Sequence, residues 1–244
     1  MITGASSGIG AATARAFANE GACLVLLARR NDQLKEVAAI CEKSGARCEI
    51  MLTDLQDDKR VVEAVEKSIM LFGKIDVLVS NAGLGFLGAF HQQELSAVKQ
   101  IIQTNLWGSL SVCHAVIPHM LNRKSGCIVN VSSVLGKRAI ANLAAYCASK
   151  FGLWGFSNSL RIELKPYGIN VCHFCPTATA TEFQNLAGMK NPVHADTSEK
   201  VASALLDAVA NGKSEHIMSL KERALIKFYL IAPQLTTNFL KLFS

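Results

Sequence analysis

Residues 1–10 read MITGASSGIG, and the fold turns on what the glycines at positions 4, 8 and 10 are for. Their GxxxGxG spacing meets the needs of a dinucleotide-binding turn: a tight reversal, close approach of backbone to a pyrophosphate, and close packing of helix on strand. A helix beginning near Gly8 would offer free N–H groups and a positive dipole end to phosphates. Such a turn hangs from a strand, yet only Met1, Ile2 and Thr3 precede Gly4. A typical strand has about five or six residues. The expectation is a truncated first strand, in a chain whose natural form starts further upstream; the alternative is a chain made this way, with weakened fold and cofactor binding.

The sequence around the turn alternates short apolar runs with longer helical patterns. ACLVLLA (22–28), RCEIML (47–52), DVLVS (76–80), GCIVNV (126–131) and INVCHFC (169–175) read as strands covered on both faces. Helical patterns run over 8–20, 32–43, 57–71, 94–122 and 146–165, with Gly21, Gly45, Gly73 and Gly168 as C-terminal stops. This alternation predicts an α/β fold, a doubly wound parallel Rossmann sheet with helices on both faces in a single domain. The expected domain spans 1–219, with a substrate lid at 182–197. An apolar, lightly basic tail follows over 220–244, broken at Pro233. Two readings of the tail stay open: a helix packed on the body or a second subunit, and an amphipathic segment on a membrane surface.

Composition narrows the class. Of 244 residues, half are hydrophobic and 18% charged, which excludes a disordered chain. The net charge of +6 is spread thinly, so no nucleic-acid surface is expected. Eight cysteines sit mostly in apolar runs, as small hydrophobes of a reduced, cytoplasmic protein. Cys172 and Cys175 have CxxC spacing, but in a strand they point to opposite faces, and no metal site is expected.

At the end of the second strand, where a carboxylate would select NAD, stand Arg29 and Arg30. Guanidiniums grip phosphate bidentately, which points to NADP(H). In AYCASK, Tyr146 and Lys150 lie one helical turn apart on one face. A phenol titrates near ~10. A neighbouring ammonium favours phenolate and lowers that by about one to three units. That makes Tyr146 a candidate general acid for a carbonyl and base for the reverse step. Ser132 and Ser133 close the strand GCIVNV at the carboxyl edge, where ligands bind in a parallel sheet. A hydroxyl there can donate to an oxygen gaining charge.

TGASSGIG, ARR, Asp54 in TDL, SNAG, Asn105, NVSS, YCASK and CPTATAT occur in order over nearly the whole chain. Together they resemble the short-chain dehydrogenase/reductase family in its compact single-domain branch. The resemblance implies an NADP(H)-dependent oxidoreductase that interconverts a ketone or aldehyde with an alcohol. Tyr146 would be the acid/base, and Lys150 would hold the nicotinamide ribose and lower the tyrosine pKa. Ser133 would orient substrate beside Tyr146, and Asn105 would support a proton-relay water. Gly4, Ser6, Ser7, Gly8, Ile9 and Gly10 would carry the pyrophosphate, and Arg29 and Arg30 the 2′-phosphate. Asp54 and Leu55 would flank adenine. Asn81, Ala82 and Gly83 would line the cofactor cleft, with Pro176, Thr179 and Thr181 on the nicotinamide side. Two departures stand out: Ser80 replaces the usual first asparagine of the family turn, and Thr177 replaces the usual glycine after the proline.

The mixed lid and greasy tail suggest a hydrophobic or lipid-like substrate. The partners implied are a small carbonyl or alcohol substrate, a second copy forming a homo-dimer or tetramer, and a peripheral membrane contact through the tail. A different class of function, a non-catalytic dinucleotide-binding redox sensor or scaffold, is the alternative.

Overall fold

The computed structural model describes residues 1–188 and 195–232. Residues 189–194 of the expected lid and 233–244 of the expected tail, Pro233 included, lie outside the described residues. The strands are β1 (Ile2–Thr3), β2 (Leu24–Ala28), β3 (Cys48–Leu52), β4 (Val77–Ser80), β5 (Gly126–Val131), β6 (Ile169–Cys175) and β7 (Glu215–Ile217). Among the described residues they form one seven-stranded parallel sheet ordered β3-β2-β1-β4-β5-β6-β7. The order reverses beside β1, between the half wound towards β3 and the half wound towards β7. At such a reversal, loops at the carboxyl ends of neighbouring strands diverge and leave a crevice.

Strand alternation fills two cores. Leu24, Leu26, Val129, Val131, Cys172 and Phe174 face one side. There they meet α1 (Gly8–Asn19), α2 (Asn31–Lys43) and α8 (Ser198–Ala210) through Ala14, Leu34, Val37 and Leu205. Val25, Leu27, Leu78, Ile128 and Val171 face the other side. They meet α3 (Asp58–Phe72), α5 (Gly108–Arg123) and α6 (Ala144–Leu164) through Val61, Val65, Val116 and Leu160. Burial on both faces explains why these strands read as nearly continuous apolar runs. Side-chain alternation also separates Cys172, in the first core, from Cys175, which turns away beside His173.

Helix ends follow local chemistry. The Asp57 carboxylate accepts from the Arg60 N–H at the start of α3, and Gly73 closes that helix at φ +75°. The helix expected over 94–122 is broken. It runs as α4 (Leu95–Ile102), a π turn over Gln103–Trp107, and then α5. At the sheet's far edge β7, which the apolar pattern does not announce, is three half-buried residues. Helix α9 (Leu220–Ile231) follows it, capped by the Ser219 hydroxyl and seated through the buried Ile226. Among the described residues, no helix is long and apolar enough to cross a membrane.

The first strand is short but central. Ile2 and Thr3 pair with Leu26 and Leu27 on one side, and Ile2 pairs with Val79 on the other. Met1 continues the ladder: its carbonyl accepts from Val79 and its amine donates to the Val77 carbonyl at 2.8 Å. Burial pushes that amine down to about 5 from 8.0. A cavity of about 340 Å³ lies beside Met1 and Ile2, walled by Phe17, Leu24, Phe72 and Val77.

Candidate functional site

The carboxyl ends of the first six strands open on one cleft of about 720 Å³. The glycine turn after β1 forms its floor. Gly4 and Gly8 adopt φ +63° and +53°, a left-handed backbone that favours glycine. A Cβ on Gly10 would lie 2.2 Å from the Gly4 carbonyl oxygen, so α1 can approach the turn only without a side chain there. Asn81 staples the turn to the end of β4. Its Nδ2 donates to the carbonyl of Thr3 at 3.0 Å, and the backbone N–H groups of Asn81 and Ala82 donate to the Thr3 hydroxyl at 2.9 and 3.1 Å. Ser80, the departure from the family turn, lies buried behind this staple.

Gly4, Ser6, Ser7, Gly8 and Ile9 line the cleft floor, with Arg29 and Arg30 after β2 and Asp54 and Leu55 after β3. The Arg29 guanidinium stands 3.7 Å from the Asp54 carboxylate. Arg30 turns to the glycine loop, donating to the Ser7 hydroxyl at 2.6 Å and to the Ser6 hydroxyl at 3.3 Å. Asn81, Ala82 and Gly83 form the middle wall, and Pro176, Thr179 and Thr181 the far one. Of the expected residues, Gly10 and Asn105 do not reach the cleft surface and act behind it.

Tyr146 and Lys150 project from α6 into the same cleft, beside Ser133 at the end of β5. The Ser133 and Tyr146 side chains line the cleft together, and the Leu135 N–H donates to the Ser133 hydroxyl at 3.1 Å. Behind Ser133, the Cys175 thiol donates to its carbonyl at 3.4 Å. The Lys150 ammonium donates to the Val131 carbonyl at 3.0 Å and lies 5.8 Å from the Tyr146 ring centre. Burial pushes the Tyr146 phenol up to about 12 and the Lys150 ammonium down to about 8. The expected lowering of the phenol by Lys150 is therefore corrected: desolvation of a buried phenolate outweighs an ammonium aimed at a backbone carbonyl.

Asn105 explains the π turn. Its Oδ1 accepts from the Leu84 N–H at 2.7 Å, and its Nδ2 donates to the Leu84 carbonyl at 2.8 Å and to the Ser149 hydroxyl at 3.1 Å. Ser149 in turn donates to the Tyr146 carbonyl. One buried amide thus ties the loop after β4 to the helix that carries Tyr146 and Lys150.

The departure at Thr177 is also accommodated. Its hydroxyl donates to the Asp196 carboxylate, and the backbones of residues 178–180 and Asp196 bond to each other. Thr179 donates to the Thr177 carbonyl at 2.8 Å. Sequence reasoning missed the apolar wall beyond Tyr146, which is formed by Ile140, Leu143 and Phe183. Phe183 belongs to α7 (Glu182–Leu186), and its ring lies 5.8 Å from that of Tyr146. Also missed was a buried ionic group beside β6. The Lys137 ammonium donates to Glu215 at 2.5 Å, and Glu215 stands 3.7 Å from His173, which is itself fully buried.

The cradle fits a dinucleotide phosphate on two counts: glycines where a side chain would block approach, and Arg30 set beside the Ser6 and Ser7 hydroxyls. A model of the short chain dehydrogenase family matches residues 1–191. The chain belongs to the short-chain dehydrogenase family. Among curated members, it is 31% identical over 228 residues to the ketoacyl reductase HetN of a Nostoc species, covering 90% of this chain and 77% of that one. It is 39% identical over 180 residues to human dehydrogenase/reductase SDR family member 7, covering 72% of this chain and 53% of that one. The chain thus spans about half the length of the human relative. Among solved short-chain dehydrogenases, one from Sphingobium yanoikuyae in complex with NADPH superposes with a TM-score of 0.84 at 33% identity, covering 90% of this chain and 87% of that one. A metagenomic short-chain oxidoreductase in complex with NADP gives 0.78 at 31% identity, with coverages of 89% and 94%.

Proposed function

We propose that the protein is an NADP(H)-dependent oxidoreductase that interconverts a ketone or aldehyde with the corresponding alcohol. The observation that carries this reading is the convergence of Ser133, Tyr146 and Lys150 on the cleft that also holds the glycine turn and Arg30. Gly4, Ser6, Ser7 and Gly8 would hold the pyrophosphate end of NADP(H), Arg30 its 2′-phosphate, and Lys150 its nicotinamide ribose. When bound, NADP(H) supplies or takes up the hydride. Tyr146 gives its phenolic proton to the carbonyl oxygen as negative charge develops there, and recovers it in the reverse direction. Ser133 donates to the same oxygen and fixes its position against the phenol. The Lys150 ammonium offsets the charge left on Tyr146. Asn105 keeps the loop after β4 and α6 in register, so that these groups stay converged.

Ile140, Leu143 and Phe183 give the substrate side an apolar wall, which supports a hydrophobic or lipid-like substrate. The similarity to a protein named a ketoacyl reductase supports a carbonyl on an acyl chain. A homo-dimer or tetramer through α5 and α6 is part of this reading, and the exposed Ile162 on α6 suits such a contact. We place 1–219 in the catalytic domain, with 220–244 as an appended segment whose described start, α9, packs on the body through Ile226.

Tyr146→Phe tests the mechanism. It should lower carbonyl reduction at least about a hundredfold while NADPH affinity stays within twofold of the parent. Turnover at the parent rate would overturn the assignment of Tyr146. A parent chain that binds NADPH but turns over no acyl-chain or other apolar ketone would favour the redox-sensor alternative.

A further inference from the structure

Arg30 in this structure already holds an anion, and that anion comes from the protein. Its Nη1 donates to the Glu182 carboxylate at 2.8 Å, while Nη2 and Nε reach the Ser7 and Ser6 hydroxyls. Arg30 thus stands between the Glu182 carboxylate and the two serine hydroxyls of the glycine turn. Arg30 first, and Ser7 further, hold the Glu182 carboxyl below its ordinary range. The bond spans the cleft: Arg30 follows β2, whereas Glu182 is the first residue of α7. The next residue, Phe183, packs on Tyr146.

We infer that Glu182 is a specificity-determining residue, a carboxylate that occupies the anion position of Arg30, Ser6 and Ser7 and must be displaced by a 2′-phosphate. The inference rests on the NADP(H) reading above and adds a competitor within the chain. Glu182 already takes the Nη1 donor of Arg30, so a phosphate gripping the same guanidinium meets a carboxylate held against it, and the two anions repel. A nucleotide with a free 2′-hydroxyl carries no such conflict and leaves Glu182 in place. Glu182 therefore lowers the preference for 2′-phosphorylated ligands below what Arg30 alone would give. Displacement also frees the start of α7, and with it the support of Phe183 beside Tyr146. The adenosine end of the cleft is thereby linked to its reacting end.

The test is calorimetric binding of adenosine 2′,5′-bisphosphate and adenosine 5′-monophosphate to the full chain, which needs no turnover. Glu182→Gln should tighten the bisphosphate about three- to tenfold, with the monophosphate changing less than twofold. In an Arg30→Ala background the same substitution should leave the ratio of the two affinities unchanged. Equal changes for both nucleotides, or none, would overturn the inference, because Glu182 would then be only a tie between α7 and the body. A parent chain that binds NADPH, with a ratio indifferent to Glu182, would sink this inference alone. A parent that binds neither NADPH nor the bisphosphate would sink the NADP(H) reading along with it.

Discussion

The Lys150 ammonium donates to the carbonyl of Val131 at 3.0 Å, one strand residue before the Ser132–Ser133 pair. The charge that should support a Tyr146 phenolate is thus anchored to β5, the strand that positions the hydroxyl of Ser133. With Tyr146 near 12 and Lys150 near 8, the proton of Lys150 is the one lost first on raising pH. In the proposed mechanism, carbonyl reduction needs the phenol and the ammonium together. Its kcat/KM for the cofactor, which reports the free protein, should be flat below about 8 and fall about tenfold per unit above it. Alcohol oxidation should rise about tenfold per unit up to the same point and then level off. A reduction profile flat to pH 10 would show that the Lys150 proton is not required.

Gly10 has no room for a methyl group. Its nearest neighbours are the Gly4 carbonyl and the Asn81 amide, and the first is backbone, which cannot swing aside. Gly10→Ala should cost about 1–3 kcal/mol in urea unfolding and weaken NADPH at least about tenfold through the distorted turn. Parent-like affinity would mean that α1 does not set the turn.

Asn105→Leu keeps the volume of the side chain and removes three hydrogen bonds. The Leu84 N–H and carbonyl would lose their partners, a loss of about 2–3 kcal/mol. Both stability and kcat should fall together. A fall in kcat at parent stability would point instead to a direct part in proton transfer.

Glu215 is held down to about 2 from 4.5, first by the His173 ring 3.7 Å away and then by Lys137, against a desolvation cost. A carboxyl lowered on folding stabilises fully above its unfolded value and loses that contribution as pH falls towards the folded one. Since about a third of the Glu215 side chain is exposed, solvent screening leaves about 1–2 kcal/mol at neutral pH. Glu215→Gln should destabilise by that amount at pH 7, with the gap closing between about 4.5 and 2. A pH-independent gap would assign the loss to packing.

Legibility in the sequence followed the kind of interaction involved. Strands β5 and β6 read correctly to the residue, because both faces are buried and the apolar runs are continuous. That the glycine turn, Arg29, Arg30, Tyr146 and Lys150 would meet at one cleft was legible because each signal lies within a short stretch at a strand's carboxyl end or on one helix face. The break at 103–107 was not, since its cause is a side-chain contact between Asn105 and a residue 21 positions away. Strand β7 escaped for want of length, being three residues with no resolvable period. Helix α8 did leave a signal, a Thr197 cap before an apolar period. The Arg30–Glu182 pair lies 152 positions apart and the Lys137–Glu215 pair 78. Only the folded chain reveals which distant charges meet. The orientation of Lys150 towards Val131 likewise depends on the depth of α6 against the sheet.

The Thr3 staple makes the sheet's centre and the nucleotide cradle a single mechanical part. Two strand residues hold β1 between its neighbours, and the hydroxyl of one of them takes both N–H groups that shape the turn after β4. Opening the cradle therefore means prising apart the middle of the sheet, and closing it on a ligand clamps that middle shut. Amide exchange at Asn81 and Ala82 should slow when a nucleotide binds, and so should exchange in β1 and β4, which no nucleotide touches. The supply of cofactor would then govern how long the folded chain survives as well as how fast it works.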